Sequence, residues 1–367
     1  MQQGIQDESQ PARAAHADIV LRTVGLTKNY GRHQAVSSLD LDVRRGDVYG
    51  LLGPNGSGKT TTIRMLLGLV WPTAGTISLF GDDVSTAKMR RGALQRIGAI
   101  VEQPAFYPFL SGRDNLLGVA TFAGLKHGRS TSARVDEMLN LVGLAGFARQ
   151  AYRKYSLGMK QRLGIAATLL TDPEMVILDE PTNGLDPAGM VEVRRIIGQL
   201  AARGVTVLLS SHLLHEVQQV CTRVGIINKG TLIAQGDVRA LLQQDAGIEL
   251  GFDTVDQATR AADILAQAAA SSATWIRGLD WVAPQPGGWV PPGGWLLRVQ
   301  ADGDNAAQIN AILASQNVFA AEVRRRETSL EQLFLTLTGG MSSDRSAASP
   351  VTALPGQSAV RGEGEGR

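Results

Sequence analysis

Residues 53–60 form a glycine-rich segment, Gly-Pro-Asn-Gly-Ser-Gly-Lys-Thr, that fits the phosphate-loop pattern G-x-x-x-x-G-K-[ST]. The segment follows an apolar run at residues 48–52 and precedes a helical run, which is the context that a phosphate loop requires. Its glycines allow successive backbone N–H groups to point at phosphate oxygens, and the helix adds the positive end of its dipole. The pattern predicts a nucleotide site in which Lys59 binds the β- and γ-phosphates and Thr60 places its hydroxyl on Mg²⁺.

Asp179 and Glu180 follow directly after the apolar run Met175–Leu178. A buried strand that ends in two carboxylates places them at the carboxyl edge of a sheet, where ligands bind in open α/β folds. Two acids at a strand end are also common in solvated turns, but the phosphate loop upstream favours a functional role. We therefore expect Asp179 to hold the Mg²⁺ shell and Glu180 to accept a proton from the water that attacks a γ-phosphate.

The elements that must position these residues alternate between short β-rich runs and helical runs from residue 19 to about residue 242. The runs at 175–178 and 205–209 are apolar on both faces, as in strands buried inside a parallel sheet with helices on either side. Between residues 112 and 170 the strand signal stops, and apolar residues recur at helical spacing. The pattern predicts an α/β fold with an inserted helical subdomain at about 112–170.

The rest of the chain predicts a second, smaller folded unit and two tails. Residues 1–17 and 341–367 lack periodicity and predict disordered tails, which leaves a main folded unit at 18–244. Residues 245–340 predict a small C-terminal α+β domain in the order β-α-β-α-β-α. Its Pro/Gly/Trp segment at 284–295 predicts a loop. The tryptophans around that loop fit either the lid of a small core or an adhesive surface, and we favour the lid.

The composition fits an ordinary globular protein and excludes several classes. The chain has 367 residues, of which 44% are hydrophobic and 19% charged, and its net charge of +2 does not favour a nucleic-acid partner. The single cysteine, Cys221, excludes an internal disulfide and a cysteine-rich metal site. No apolar run reaches the about 18 residues of a spanning helix, and the N-terminus lacks a signal-peptide pattern. We expect a chain that does not cross a membrane by itself.

Further segments, taken with these motifs, resemble the ATP-binding-cassette (ABC) ATPases over residues 19–242. The resemblance identifies Tyr30 as the aromatic that stacks on adenine, Gln103 as the glutamine that contacts Mg²⁺ and senses the γ-phosphate, and His212 as the switch histidine that hydrogen-bonds the γ-phosphate in the transition state. Taken alone, Tyr30 also fits a packed surface aromatic, Gln103 a turn residue and His212 a helix residue. The resemblance implies a P-loop NTPase cassette with a parallel-sheet core, an antiparallel β part and an inserted helical subdomain.

The family's signature aligns with residues 155–159, Tyr-Ser-Leu-Gly-Met. Ser156 and Gly158 match it, whereas Leu157 replaces a glycine and Met159 replaces a glutamine. This variant resembles the bacterial drug- and antibiotic-export ATPases of the daunorubicin and bacitracin type. The closing segment at 329–334 resembles the C-terminal appendage of the same subfamily.

The motifs and the resemblance together predict a set of site residues. The predicted ATP-binding residues are Tyr30, Gly53, Pro54, Asn55, Gly56, Ser57, Gly58, Lys59, Thr60, Thr61 and Gln103. The predicted Mg²⁺ ligands are Thr60, Gln103 and Asp179, and the predicted catalytic residues are Glu180 and His212. The predicted signature residues, which act in trans, are Ser156, Gly158 and Met159, and the predicted dimer loop is Gly184, Leu185 and Asp186.

One set of motifs implies a second ATPase subunit, because in this family the signature of one subunit completes the phosphate-loop site of another. We expect a homodimer, and the alternative is a heterodimer with another cassette chain. Because no spanning helix is predicted in this chain, the resemblance implies a separate transmembrane permease. The ATPase would drive this permease to export drugs, antibiotics, lipids or polymers. The chain would then lie peripherally on the cytoplasmic face of the cell membrane.

Two interpretations stay open from the sequence. Phe106, Tyr107, Phe109 and Leu110 fit either a docking patch for the permease or the core of the helical subdomain. The alternative function is a soluble ABC ATPase that acts in translation or DNA repair. A single cassette without a coiled-coil or zinc insertion favours export.

Overall fold

The computed structural model describes residues 18–84, 87–244, 247–282, 294–301, 303–326 and 329–339. The predicted tails at 1–17 and 341–367 lie outside these residues, and so does the predicted loop at 284–295 as far as residue 293.

The strands are β1 (Ile19–Tyr30), β2 (His33–Arg44), β3 (Val48–Leu52), β4 (Ala74–Leu79), β5 (Asp82–Asp83), β6 (Ile97–Ile100), β7 (Met175–Leu178), β8 (Thr206–Ser211), β9 (Arg223–Asn228), β10 (Thr231–Asp237), β11 (Gly247–Phe252), β12 (Gly278–Val282), β13 (Trp295–Gln300) and β14 (Glu322–Arg326). The α-helices are α1 (Lys59–Leu66), α2 (Ala87–Leu94), α3 (Gly112–Phe122), α4 (Arg129–Leu141), α5 (Leu157–Thr168), α6 (Pro187–Ala202), α7 (Leu214–Val220), α8 (Val238–Gln244), α9 (Val255–Ser271), α10 (Ala306–Ser315) and α11 (Leu330–Gly339).

A six-stranded sheet in the order β10-β9-β3-β8-β7-β6 forms the centre of the fold. Its strands pair in parallel except for β10, which pairs antiparallel with β9. β3, β7 and β8 are buried along their whole length, and their residues alternate between two apolar clusters on opposite faces. In this order the carboxyl ends of β3, β8 and β7 are adjacent. The three segments that follow these strands therefore meet at one edge of the sheet.

An antiparallel sheet and a group of helices cover this core. The sheet has the order β2-β1-β4-β5, and its apolar residues share a cluster with β3 and α1. α3, α4 and α5 lie between β6 and β7 in the chain and pack with α6 in the other cluster. The predicted α/β fold is confirmed in its parallel core, its antiparallel part and its inserted helices. The domain bounds 18–244 and 112–170 stay predictions.

The C-terminal part has an antiparallel sheet in the order β12-β13-β11-β14, which packs with α9 and α10 around a third apolar cluster. The predicted order β-α-β-α-β-α is wrong in one respect, because β12 adds a strand. β12 is an edge strand that is paired on one side and has no fully buried residue, so it carries a weak sequence pattern. Trp275 packs on the cluster, but Trp281 and Trp295 are 50% and 40% exposed, so the predicted lid is wrong for these two.

Candidate functional site

The phosphate-loop segment connects β3 to α1 and requires its glycines. Gly56 and Gly58 have left-handed backbone angles, with φ of 80° and 107°. A Cβ on Gly58 would lie 2.6 Å from the carbonyl oxygen of Ala35, and a Cβ on Gly53 would lie 2.2 Å from that of Ile227. Larger residues at these positions would therefore displace the loop from β2 and β9.

Lys59, the first residue of α1, is only 4% exposed. Its Nζ donates hydrogen bonds to the carbonyl oxygens of Gly53 at 2.8 Å and Pro54 at 3.2 Å. The same Nζ lies 3.2 Å from Oε1 of Glu180. A buried ammonium group requires such partners, and these hold it between the phosphate loop and the predicted catalytic base.

Asp179 is buried at the end of β7 and accepts hydrogen bonds from two hydroxyl groups. The donors are Oγ of Ser210 at 2.5 Å and Oγ1 of Thr60 at 3.3 Å. Ser210 Oγ in turn accepts a hydrogen bond from the backbone N–H of Glu180 at 2.8 Å. Because Ser210 lies on β8, the neighbouring strand orients both acids. This serine is not among the predicted site residues, and its only signal in the sequence is its place at the end of an apolar run, two residues before His212.

Glu180 links the lysine to the predicted switch histidine. Its φ of 49° is a left-handed conformation that is uncommon for a residue other than glycine. Its Oε2 lies 2.7 Å from Nδ1 of His212, so Lys59, Glu180 and His212 form a continuous chain of contacts. The side chains of Glu180 and His212 are 20% and 30% exposed, so water reaches both.

A cavity of about 340 Å³ lies beside the phosphate loop. Tyr30 is 47% exposed there, and Nζ of Lys28 lies 5.0 Å from the centroid of its ring. The structure brings several predicted residues together around this cavity and adds His33 and Asn183, which the sequence analysis missed. Asn183 lies in the loop between Glu180 and the predicted dimer loop, and that position was its only signal. The lining residues are Tyr30, His33, Ala35, Asn55, Gly56, Gly58, Lys59, Thr60, Thr61, Glu180 and Asn183.

Gln103 lies elsewhere. It is exposed and lines a different cavity of about 390 Å³, between β6, α3 and α5, together with Phe106. Among the described residues that line the phosphate-loop cavity, Gln103 is not present. The contact of Gln103 with Mg²⁺ therefore stays a prediction.

Thr60 and Asp179 offer the hydroxyl and carboxylate oxygens that Mg²⁺ prefers, and Thr60 Oγ1 lies 3.3 Å from Asp179 Oδ1. Within the described part of the chain, no group of three or more His, Cys, Asp and Glu side chains is arranged to hold a metal ion. Two protein oxygens fit an ion that takes its other ligands from phosphates and water, as Mg²⁺ does.

The predicted signature and dimer-loop residues lie outside the lining of the phosphate-loop cavity. Ser156 and Asp186 cap α5 and α6, each by accepting a backbone N–H of the first turn. Leu157 is 39% exposed, and a Cβ on Gly184 would lie 3.3 Å from its Cδ2. The two segments therefore approach each other at Leu157, where the sequence departs from the family's signature. The residues concerned are Ser156, Gly158 and Met159 at the start of α5, and Gly184, Leu185 and Asp186 before α6.

Three apolar side chains between β6 and α3 are exposed. Tyr107, Phe109 and Leu110 are 65%, 77% and 43% exposed. Phe106 instead packs against the apolar cluster that α3, α4, α5 and α6 share with one face of the central sheet, which we call the central cluster, and its ring lies 5.3 Å from that of Tyr152. The interpretation as part of the subdomain core therefore holds for Phe106. Tyr107, Phe109 and Leu110 instead form an exposed surface patch. None of the helices in the described residues is both long and apolar enough to span a bilayer.

Comparisons with known proteins point to one family. A family model described as ABC transporter matches residues 36–183. The bacitracin transport ATP-binding protein BcrA of Bacillus licheniformis is 40% identical over 88% of this chain and 98% of its own length. The daunorubicin resistance ATP-binding protein DrrA3 of Streptomyces coeruleorubidus is 37% identical over 88% of this chain and 97% of its own length.

Solved structures have the same fold. The structure of an ATP-binding subunit of an ABC transporter has a TM-score of 0.54 at 28% identity and covers 61% of this chain and 92% of its own. CbiO1 from Clostridium perfringens, part of an ABC transporter complex, has a TM-score of 0.56 at 23% identity and covers 70% of this chain and 96% of its own.

Proposed function

This chain belongs to the ATP-binding-cassette (ABC) transporter family, and we propose that it is the ATPase subunit of an export system. Relatives that match most of its length are named for bacitracin transport and daunorubicin resistance, which supports the export of drugs, antibiotics or related lipids and polymers. The observation that carries the proposal is the contact chain of Lys59, Glu180 and His212 beside the phosphate loop. Lys59 and Glu180 line one cavity, and His212 contacts the Glu180 carboxylate, so a cation, an acid that can accept a proton and an imidazole lie in sequence there.

ATP binds in the cavity beside the phosphate loop. The exposed ring of Tyr30 stacks on adenine at the margin of the cavity. The backbone N–H groups of residues 53–60 and the positive end of α1 hold the phosphates, and Lys59 contacts the β- and γ-phosphates. The carbonyl oxygens that accept from Lys59 Nζ keep the cation within the loop, where phosphate oxygens approach.

Thr60 and Asp179 would hold Mg²⁺, and the family resemblance implies Gln103 as a further ligand. Bound there, Mg²⁺ would neutralise negative charge on the phosphates. Asp179 contributes by its fixed orientation, because Ser210 donates a hydrogen bond to its carboxylate and so limits its rotation.

Glu180 is the general base of hydrolysis. It accepts a proton from the water that attacks the γ-phosphate, and its backbone is anchored by the hydrogen bond to Ser210. His212 orients the Glu180 carboxylate through the 2.7 Å contact and hydrogen-bonds the γ-phosphate, as the family resemblance implies. The two residues thus combine proton transfer with stabilisation of the charged transition state.

Two copies of the chain complete two ATP sites. Ser156, Gly158 and Met159 of one copy contact the nucleotide held by the phosphate loop of the other. Their place at the start of α5, outside the lining of their own cavity, supports a role in trans. An isologous dimer gives two equivalent sites.

The membrane subunit docks on the patch formed by Tyr107, Phe109 and Leu110. This patch is exposed and apolar, and it adjoins the cavity that Gln103 and Phe106 line. The chain then lies on the cytoplasmic face of the membrane through this partner. Nucleic acid is not a partner in this proposal.

Cell fractionation tests the export proposal. The full-length chain should sediment with membranes and be released by an alkaline wash, because it is held by a membrane subunit. Phe109→Ala should move the chain to the soluble fraction. Phe319→Ala is the control, because Phe319 in the C-terminal part is 64% exposed and Phe109 is 77% exposed. This variant should stay on the membranes. Sedimentation of the wild type with ribosomes or nucleic acid would contradict the proposal.

A further inference from the structure

α11, the last helix of the described residues, does not pack on the apolar cluster of the C-terminal sheet that precedes it. Leu330 is fully buried and belongs to the central apolar cluster, not to the cluster of β11 and β13. Leu333, Phe334 and Leu337 are partly buried against the same central cluster. A segment far beyond the last nucleotide motif therefore returns to the core that β3, β7 and β8 share.

The start of α11 is fixed by a capping box and by a contact with α7. Ser329 Oγ accepts the N–H of Gln332 at 3.2 Å, and Gln332 Oε1 accepts the N–H of Ser329 at 3.4 Å. The N–H of Leu330 donates to Oε1 of Gln218 on α7 at 3.3 Å. A helix cannot satisfy its own first N–H groups, so α7 supplies an acceptor that α11 needs. Apolar packing and a hydrogen bond thus couple the positions of α11 and α7.

α7 is also packed against β3 and α6. A Cβ on Gly50 of β3 would lie 2.6 Å from Cγ1 of Val217 and 3.0 Å from Sγ of Cys221, so α7 lies directly on the strand that enters the phosphate loop. Glu216 of α7 forms an ion pair with Arg194 of α6 at 3.2 Å. α7 is therefore held between β3, α6 and α11, and α11 connects it to the C-terminal part of the chain.

α7 begins two residues after His212, whose Nδ1 lies 2.7 Å from Oε2 of Glu180. A shift of α7 therefore moves His212 relative to Glu180, and a displacement of about 1 Å in a catalytic group can lower a rate by about 10²-fold. We propose that α11 is a positioning element for ATP hydrolysis, in which Leu330 holds α7 and, through it, His212. The inference rests on the proposed function, because it assumes that His212 takes part in hydrolysis.

Steady-state ATP hydrolysis by full-length variants tests this role. Leu330→Ala should lower kcat about tenfold and change the ATP dissociation constant by less than about twofold, because the residues that line the ATP cavity keep their own contacts. Leu330→Met nearly conserves the side-chain volume and should restore most of the activity. Leu335→Ala lies on the same helix at a position that is 61% exposed, and it should change neither quantity.

A second readout separates positioning from general destabilisation. The imidazole C–H resonance of His212, identified by its loss in His212→Gln, should shift in Leu330→Ala. The resonance of His127 in the helical insertion should stay in place. Gln218→Ala removes a single hydrogen bond and should lower kcat by about threefold at an unchanged melting temperature. If Leu330→Ala fails to fold, the kcat of Gln218→Ala therefore tests the proposal.

The outcomes distinguish this inference from the proposed function. Wild-type turnover in His212→Gln would mean that the role proposed for His212 in the site is wrong. Lost turnover in His212→Gln, with wild-type kcat in both Leu330→Ala and Gln218→Ala, would overturn the role of α11 alone. Equal losses of kcat and ATP binding, with an unmoved His212 resonance, would also overturn it, because they would show a merely structural contribution.

Discussion

Glu180 is the residue on which the proposed chemistry depends most. Its backbone is left-handed, and its N–H is bonded to Ser210 Oγ. Its carboxylate lies between Nζ of Lys59 at 3.2 Å and Nδ1 of His212 at 2.7 Å. Unusual backbone conformations persist at functional sites when the surrounding contacts overdetermine them. Two neighbours therefore hold the carboxylate beside the cavity at the end of β7, and Ser210 holds the backbone of the same residue.

Glu180→Gln should retain ATP binding and lose hydrolysis. Glutamine keeps the shape of the side chain and a hydrogen bond but cannot accept the proton from water, so kcat should fall by about 10²–10⁴-fold. ATP affinity and turnover are measured on the same purified sample. Lys59→Ala is the contrasting variant, because it removes the cation and should weaken ATP binding as well. Turnover near the wild-type rate in Glu180→Gln would transfer the role of base to another residue, with His212 the first candidate.

At the scale of elements, an ion-pair network secures the edge of the central sheet opposite the site. Glu174, just before β7, accepts from Arg96 Nε at 2.5 Å and Arg96 Nη2 at 2.9 Å, and from Arg45 Nη1 at 2.9 Å. Hydrogen bonds from Arg96 and then Arg45 lower the pKa of Glu174 to about 2. The network joins the starts of β3, β6 and β7, so it helps to align the strand ends that carry the site.

Glu174→Gln should destabilise the chain at neutral pH and have little effect at low pH. The folded-state pKa of Glu174 lies below its ordinary value of 4.5, so its contribution is complete above about pH 4.5 and is lost as the pH falls toward 2. The side chain is 38% exposed, so we expect a loss of only about 0.5–1 kcal/mol at pH 7. Urea unfolding at pH 7, 5 and 3 measures it, with the exposed Asp253→Asn as the control. A difference from wild type that stays constant down to pH 3 would contradict the assignment.

The sequence predicts the reacting groups better than the contacts that support them. The phosphate loop and the two acids have local patterns, so their meeting beside one cavity was predictable. Ser210 carries no such pattern, because its contacts with Asp179 and Glu180 arise from the strand order, which places β8 beside β7. Gln103 follows the family's motif order but lines a neighbouring cavity. The helix that closes the C-terminal domain was part of the predicted order of elements, whereas the packing of α11 on α7 is a long-range contact that leaves no local pattern.

At the scale of the whole molecule, each chain of the proposed dimer contributes its phosphate loop to one ATP site and its signature residues to the other. The phosphate loop and the predicted base line one cavity, and the signature residues lie at the start of α5, outside that lining. The close approach of Leu157 to Gly184 joins the signature segment to the dimer loop within one chain. ATP between two copies would hold them together, and hydrolysis would release them. A variant that binds ATP without hydrolysing it should therefore accumulate as a dimer.

The mass of Glu180→Gln in solution, with and without ATP and Mg²⁺, tests this two-copy site most directly. Light scattering after size-exclusion chromatography measures it. We expect the mass of a single chain without nucleotide and twice that mass with ATP and Mg²⁺. Adding Lys59→Ala to the same chain should keep the single-chain mass in both conditions. A single-chain mass for Glu180→Gln with ATP bound at saturation would show that two copies do not share the ATP sites.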